Sequence, residues 1–228
     1  MTKPLIIFGN GEIGEVAQYY FSRDGNRSVK AFLADGDYIK EEKFCGLPVI
    51  AFEDVVSRYP PDCFDMFVAL SYSKLNQVRQ LKYREAKKLG YTLPSYISSR
   101  SVCAENAVFG DNCFVLENQT VQPFCRIGSN VTLWSGNHIG HHSVIGDHTF
   151  ISSHVVISGM CKIGERCFFG VNATFRDGCS IGDDVFVSMA ASVTKDVADG
   201  EMVLGQTDDV LPADDRRARA IRRSYFGI

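Results

Sequence analysis

The chain has 228 residues, 45% hydrophobic and 22% charged, the composition of an ordinary globular protein with one large domain or two modest ones. Its 24 Lys and Arg against 27 Asp and Glu leave a formal net charge of −3, with no basic excess to make a nucleic-acid surface. No apolar run approaches the ~20 residues that span a bilayer, and the opening apolar cluster lacks a signal peptide's length and cleavage pattern. The expected setting is therefore cytoplasmic, with neither nucleic acid nor membrane as a partner.

The first predicted strand, Leu5-Ile6-Ile7-Phe8, runs straight into Gly9-Asn10-Gly11-Glu12-Ile13-Gly14, a G-x-G-x-x-G turn. A helix is predicted over 12–21, and a second strand over 29–35 ends in Asp35, 21 positions after Gly14. An acidic residue ~20 positions on belongs to the dinucleotide-binding pattern. Glycines there let backbone N–H groups approach phosphate, and the helix N-terminus favours negative charge. Asp35 can accept hydrogen bonds from ribose or base. The bland alternative is a tight strand–helix turn that holds no ligand.

A third strand over 64–70 leads into Ser71-Tyr72-Ser73 and then a helix from about Lys74 to Leu89. Its cations Lys74, Arg79, Lys82, Arg84, Lys87 and Lys88 read as a solvated face. This α/β unit ends near residue 95, about half a full dinucleotide domain, which is too short for a dehydrogenase.

From Ile97 to Val193 the sequence repeats every six residues without insertion. Of the 17 marker positions, 16 are large and apolar and Cys103 is the exception. Such a period is the mark of a parallel β-helix, three hexads closing one triangular coil of 18 residues. Inward markers stack, each worth ~1.5–3 kcal/mol when fully buried, and stability comes from neighbouring coils. Glycines 110, 128, 140, 146, 164, 170 and 182 directly follow a marker, where a corner is expected to turn.

Cys113, Cys125, Cys161, Cys167 and Cys179 all fall at the small position four after a marker, and read as compact buried thiols rather than disulfides or metal ligands. Gln119 and Asn137 break the small-residue rule one coil apart, which predicts an internal amide ladder.

All five histidines lie between His138 and His154. A metal site here would resemble that of a carbonic-anhydrase-like β-helix, which wants ligands about two coils apart plus one from a neighbouring chain; no histidine pair here is that far apart, so no metal is expected. His138, His148 and His154 read as surface residues on corners. In the tail, Asp214-Asp215 precede Arg216, Arg217, Arg219, Arg222 and Arg223, an order that complements a helix dipole and predicts a short C-terminal helix. Contact between these arginines and a cofactor phosphate is the alternative.

The glycine turn, together with Leu133-Trp134-Ser135-Gly136-Asn137-His138-Ile139-Gly140-His141-His142 and the stretch from Lys162 to Ala173, resembles a known family. These are the bacterial left-handed β-helix, or hexapeptide-repeat, nucleotide-sugar acyltransferases, such as the bacillosamine and perosamine N-acetyltransferases. The likeness covers roughly residues 3–195. It implies a Rossmann-like nucleotide-sugar-binding domain over 1–95, a left-handed parallel β-helix acyltransferase domain over 96–205, and a tail with a short helix over 206–228. The left hand comes from the likeness alone, since crossover rules favour the right.

The resemblance further implies acetyl-CoA-dependent N-acetylation of a nucleoside-diphosphate amino sugar, of the 6-deoxy type, by a homotrimer with active sites between adjacent β-helices. The family's base falls on His141, and the residue beside it, usually acidic, is His142. Asp147 and Asn118 are the candidates to orient His141. Substrate contacts are expected at Gly9, Asn10, Gly11, Asp35, Ser71, Tyr72, Asn118 and Trp134. Cofactor contacts fall at Gly159, Val171 and Met189, with Phe150 where the family has a second histidine. Gly159, one coil above His141, is expected to leave room beside the base, and an N–H near it to bind the oxyanion. The family's Gly-x-Pro-Ala ending is Gly205-Gln206-Thr207-Asp208 here. Three alternatives stand beside this reading: O-acetylation of a sugar hydroxyl by the same architecture, a non-enzymatic scaffold that binds nucleotide sugars and, third, a metal hydrolase.

Overall fold

A computed structural model describes residues 2–205, 215–217, 219–220 and 223. The first unit contains β1 (Leu5–Phe8), α1 (Glu12–Arg23), β2 (Val29–Ala34), β3 (Lys43–Phe44), β4 (Leu47–Ala51), α2 (Val55–Arg58), β5 (Asp65–Val68) and α3 (Gln77–Lys88). Its sheet order is β3-β4-β2-β1-β5, parallel throughout except for the β3–β4 hairpin. The chain builds outward from β1 to β4 and then crosses back to place β5 on the other side of β1. Both sheet faces are covered, which is why the strands read as unbroken apolar runs. Leu5, Ile7, Phe32 and Phe67 pack with Ala17 and Phe21 of α1. Ile6, Phe8, Leu33, Met66 and Val68 pack with Ala86 of α3.

Helix α3 starts three residues later than its sequence suggests. Lys74, Leu75 and Asn76 take φ of 49°, 50° and 65°, a left-handed turn ahead of the helix. Nor are its cations one solvated face. Arg79 is 1% exposed, and Lys82 turns onto the rings of Phe8 and Phe52. One side of the helix lies against the second unit and buries Arg79, while Gln77 and Leu81 on its other side are exposed, as are the cations Lys74, Arg84, Lys87 and Lys88.

From Tyr96–Ile97 onward every strand has two residues, the second of each through Val193 being a predicted marker. These strands form three parallel sheets, of seven, six and five strands. Face 1 runs from Tyr96–Ile97 to Met202–Val203, face 2 from Val102–Cys103 to Ser192–Val193, and face 3 from Val108–Phe109 to Ser180–Ile181. Pairing is in register at 18-residue intervals, as in Thr132↔Phe150 and His138↔Val156, up to the last pair of face 1, Phe186↔Met202, which is 16 apart. Stacked parallel sheets of this kind fit a left-handed β-helix. The markers from Val115 to Val193 and the five small-position cysteines form one core, each of those cysteines 0% exposed, while Ile97 at the open end is 39% exposed.

The corners turn differently from the expectation. From residue 112 to residue 190 the position three after each marker carries the positive φ: Asn112, Asn118, Phe124, Asn130, His142, His148, His154 and the later non-glycine residues lie between 52° and 67°, with Gly136 and Gly178 at 82° and 72°. Asn and His are among the residues that tolerate this region best. The glycines directly after markers have a steric role instead. A Cβ on Gly140 would lie 2.4 Å from the Ser158 carbonyl carbon, and one on Gly170 2.4 Å from the Met189 nitrogen, both in the next coil.

The α/β unit is docked on face 1. Tyr96, Phe114 and Leu116 of the coil share a core with α1. At the vertex between faces 3 and 1 a polar ladder joins the units. Asn112 pairs with both the N–H and the C=O of Val68 (2.8 and 3.2 Å) and donates to Asn130 Oδ1 at 2.8 Å, and Asn130 Nδ2 meets His148 Nδ1 at 2.8 Å. Asn76 Nδ2 donates to the carbonyls of Arg166 and Cys167, and Arg79 to those of Asn130 and His148. His148 is thus 3% exposed, not a surface residue. Burial, with the Arg79 charge adding to it, pushes its pKa down to about 4.

The predicted ladder of Gln119 and Asn137 is not formed. Both amides instead donate to the Trp134 carbonyl, at 2.7 and 2.5 Å. In the tail, Arg219 N–H donates to Asp215 O, one helical turn; Asp214, Arg222 and Gln206-Thr207-Asp208 lie outside the described residues.

Candidate active site

Two separate places collect the residues singled out by sequence. The first is a crevice of about 600 Å³ at the C-terminal ends of β1, β2 and β5, lined by Gly9, Asn10, Gly11, Asp35 and Ser71 among others. It opens where the strand order reverses, the usual place for a ligand in an open α/β sheet. The glycines divide the work. A Cβ on Gly9 would lie 2.3 Å from the Ala69 carbonyl oxygen, and one on Gly14 2.0 Å from the Gly9 oxygen, so both are held by close packing. Gly11 meets nothing within 4 Å and leaves the backbone open at the start of α1.

Lys82 was missed by sequence reasoning, although it lines the same crevice. Its Nζ lies 2.5 Å from Asp35 Oδ1 and 2.8 Å from Glu85 Oε2. Burial works against the ammonium, but the Asp35 and Glu85 carboxylates outweigh it and hold the pKa above the usual lysine value. Tyr72 leaves the crevice. Its ring seats on Phe150 and Phe168, at centroid distances of 5.1 and 4.5 Å.

The second place is the vertex between faces 2 and 3. His141 and His142 are exposed there, their Nδ1 atoms 3.1 Å apart. The corner conformation of His142, φ 59°, sets its ring at 4.6 Å from Phe124. The Gln122 side chain accepts the His141 N–H at 2.8 Å. A Cβ on Gly159 would sit 2.8 Å from His141 Cε1 and Nε2, so the missing side chain makes the space beside that edge of the ring. The Gly159 N–H is not a free donor: Asp177 Oδ1 accepts it at 2.8 Å, and the Met160 N–H goes to the His141 carbonyl at 2.8 Å. The expected oxyanion donor near Gly159 is therefore committed to the coil's own hydrogen bonds.

Neither candidate orienting residue reaches His141. Asp147 accepts from Ser129 N–H on the vertex between faces 3 and 1, and Asn118 turns the vertex between faces 1 and 2. Val171 and Met189 stand on that same vertex, one coil apart and 40% and 69% exposed. Their N–H groups have no partner among the described residues. Phe150 is 3% exposed, closed in by Tyr72, Phe168 and Arg79, which leaves it no face for a cofactor. The α/β unit covers the spot that the family histidine would occupy. Trp134 lies in a cleft under α1 with Tyr19, Tyr20 and Glu117, apart from the Gly9–Ser71 crevice. No three His, Cys, Asp or Glu side chains converge as a metal site among the described residues, and no described helix is long and apolar enough to cross a membrane.

Residues 124–159 match the family described as bacterial transferase hexapeptide (six repeats), and 161–195 the hexapeptide repeat of succinyl-transferase. Residues 124–159 and 161–195 therefore carry the hexapeptide repeat. Solved structures extend the likeness to both units. The acetyltransferase domain of PglB from Neisseria gonorrhoeae FA1090 matches with a TM-score of 0.79 and 23% identity, over 92% of this chain and 100% of that one. PerB from Caulobacter crescentus, in complex with CoA and GDP-perosamine, gives 0.81 and 22% over 93% and 99% of the two chains. The PglB domain in complex with acetyl coenzyme A gives 0.80 and 23% over 92% and 100%. At these identities the likeness establishes the shared fold. No curated protein sequence matches the chain.

Proposed function

We propose that this hexapeptide-repeat chain is an acetyl-CoA-dependent N-acetyltransferase acting on an amino sugar, of the 6-deoxy type, linked to a nucleoside diphosphate. The observation that carries the reading is the exposed His141, tied through Nδ1 to His142 and with its Cε1–Nε2 edge over a glycine. If Nδ1–H donates to His142 Nδ1, the Nε2 lone pair is left free, the tautomer a general base needs. The ligands named for PglB and PerB supply the substrate classes carried over here.

In this reading the Rossmann-like unit holds the nucleotide, with the open backbone at Gly11 toward the diphosphate, and spends that remote binding energy on placing the amine. His141 Nε2 takes a proton as the neutral amine attacks the thioester carbonyl, and collapse of the adduct releases the CoA thiol. The free N–H groups of Val171 and Met189 suit polar contacts to the cofactor.

The α/β unit sits on face 1, whereas His141 stands at the vertex opposite that face. One chain alone does not join base and nucleotide crevice, so we place the site between copies in a homotrimer. Phe124 and Met160, 57% and 55% exposed beside His141, are the apolar surface that a neighbour would cover.

The test is thiol release from acetyl-CoA against UDP-, GDP- and dTDP-linked amino-6-deoxysugars, with hydroxy counterparts alongside. Release that depends on one amine, with an acetylated product by mass spectrometry, is expected. Release with hydroxy sugars alone would make the chain an O-acetyltransferase, and binding without consumption of acetyl-CoA would make it a scaffold.

A further inference from the structure

The nucleotide crevice contains a pairing that the glycine turn does not predict. In dinucleotide-binding folds the acidic residue ending β2 hydrogen-bonds the ribose 2′-hydroxyl, and its two oxygens can take two neighbouring hydroxyls at once. Here Asp35 Oδ1 is already engaged by Lys82 Nζ at 2.5 Å. The lysine has little freedom to leave. Its side chain is 12% exposed, Glu85 Oε2 holds the ammonium at 2.8 Å, and the Phe8 and Phe52 rings lie 5.3 and 5.2 Å from it. Asp35 Oδ2 has no hydrogen-bond partner among the described residues.

We propose that Lys82 is a specificity residue: by occupying one oxygen of Asp35 it prevents two-point recognition of the ribose diol, so that the crevice accepts 2′-deoxyribose and ribose nucleotides alike. The inference rests on the nucleotide reading above and names the pentose class of the substrate. A single free acceptor oxygen can still bond one hydroxyl, and the 3′-hydroxyl is present in both pentoses. Only a second free oxygen would make the 2′-hydroxyl count.

The experiment is calorimetric binding of matched pairs, UDP with dUDP and GDP with dGDP, to the full-length protein and to Lys82→Met. Methionine keeps an apolar stem over Phe8 and Phe52 and frees Oδ1. The unaltered protein is expected to bind the two members of a pair within about threefold. The variant is expected to bind the deoxy member roughly 10–100-fold more weakly than its partner, the effect of one hydrogen bond to a charged acceptor. A preference of tenfold or more for ribose in the unaltered protein would overturn the proposal without any variant, as would equal binding of each pair by a folded Lys82→Met. In either case the nucleotide reading survives. If no nucleoside diphosphate binds at all, both fall together.

Discussion

His142 and His148 hold the same place in successive hexads. Each follows an inward isoleucine by three residues, Ile139 and Ile145, and each turns its corner with a left-handed φ, 59° and 64°. Their surroundings are opposite. His142 is exposed and offers its Nδ1 to His141, while His148 is buried beneath α3 and bonded to Asn130. A repeat therefore defines backbone position without defining environment. Environment depends on which vertex the α/β unit covers. It covers the vertex between faces 3 and 1, and leaves His141 and His142 exposed at the vertex between faces 2 and 3.

The largest expected effect tests the exposed vertex. His141→Asn should lower kcat by ~10²–10⁴, the usual contribution of a general base, with calorimetric affinity for the nucleotide unchanged. Near-normal turnover would remove His141 from the role and take away the contrast between the two vertices.

The buried vertex is tested by titration. His148 has a folded pKa of about 4 against 6.5 for the free side chain. Between those values the unfolded chain binds a proton that the native state does not. The stabilisation is fully present above pH 6.5 and is lost as pH falls through 4, by up to ~3 kcal/mol. Denaturant melts from pH 7 to 4 should show that loss, and His148→Asn should flatten it. An equal slope in both proteins would mean that His148 is not the titrating group.

Asn112→Ala probes the same joint without charge. It strands the Val68 N–H and leaves Asn130 Oδ1 without its donor, so unfolding free energy should fall by about 2–3 kcal/mol. A change below 0.5 kcal/mol would show that the ladder contributes little to holding the two units together.

The contrast also explains what was readable beforehand. The inward markers, the buried cysteines and the glycine turn follow from local rules, and a strict period carried them from sequence to position. Docking is non-local, and nothing in the order Gln77-Val78-Arg79 says that Arg79 will meet the carbonyls of residues 130 and 148. Lys82 was misread for the same reason: a cation on a polar helix looks solvated until its neighbours are known. One signal was available. Asn112, Asn130 and His148 recur at intervals of 18, and three hydrogen-bonding side chains stacked on one corner invite burial by something polar. Phe150 was assigned to the cofactor from the likeness, though its column of aromatics at 150, 168 and 186 marks a covered or stacked face.

The smallest predicted effect decides whether His142 does more than turn a corner. Its Nδ1 is the only side-chain partner of the His141 Nδ1 among the described residues. If it accepts from His141 Nδ1–H it fixes the His141 tautomer, and losing it should cost about tenfold in kcat with KM unchanged, or about 1.4 kcal/mol of barrier. Alanine is a fair substitute on backbone grounds, because Ala190 takes φ 54° at the equivalent corner of a later hexad. His142→Ala should therefore fold normally and turn over slowly. His142→Asn should recover most of the rate, since the amide oxygen can stand near the position of Nδ1 and asparagine favours the left-handed corner. If Ala and Asn are equally slow, packing against Phe124 is the whole role of His142. If both are fast, His141 is oriented by something other than His142, and the tautomer argument falls.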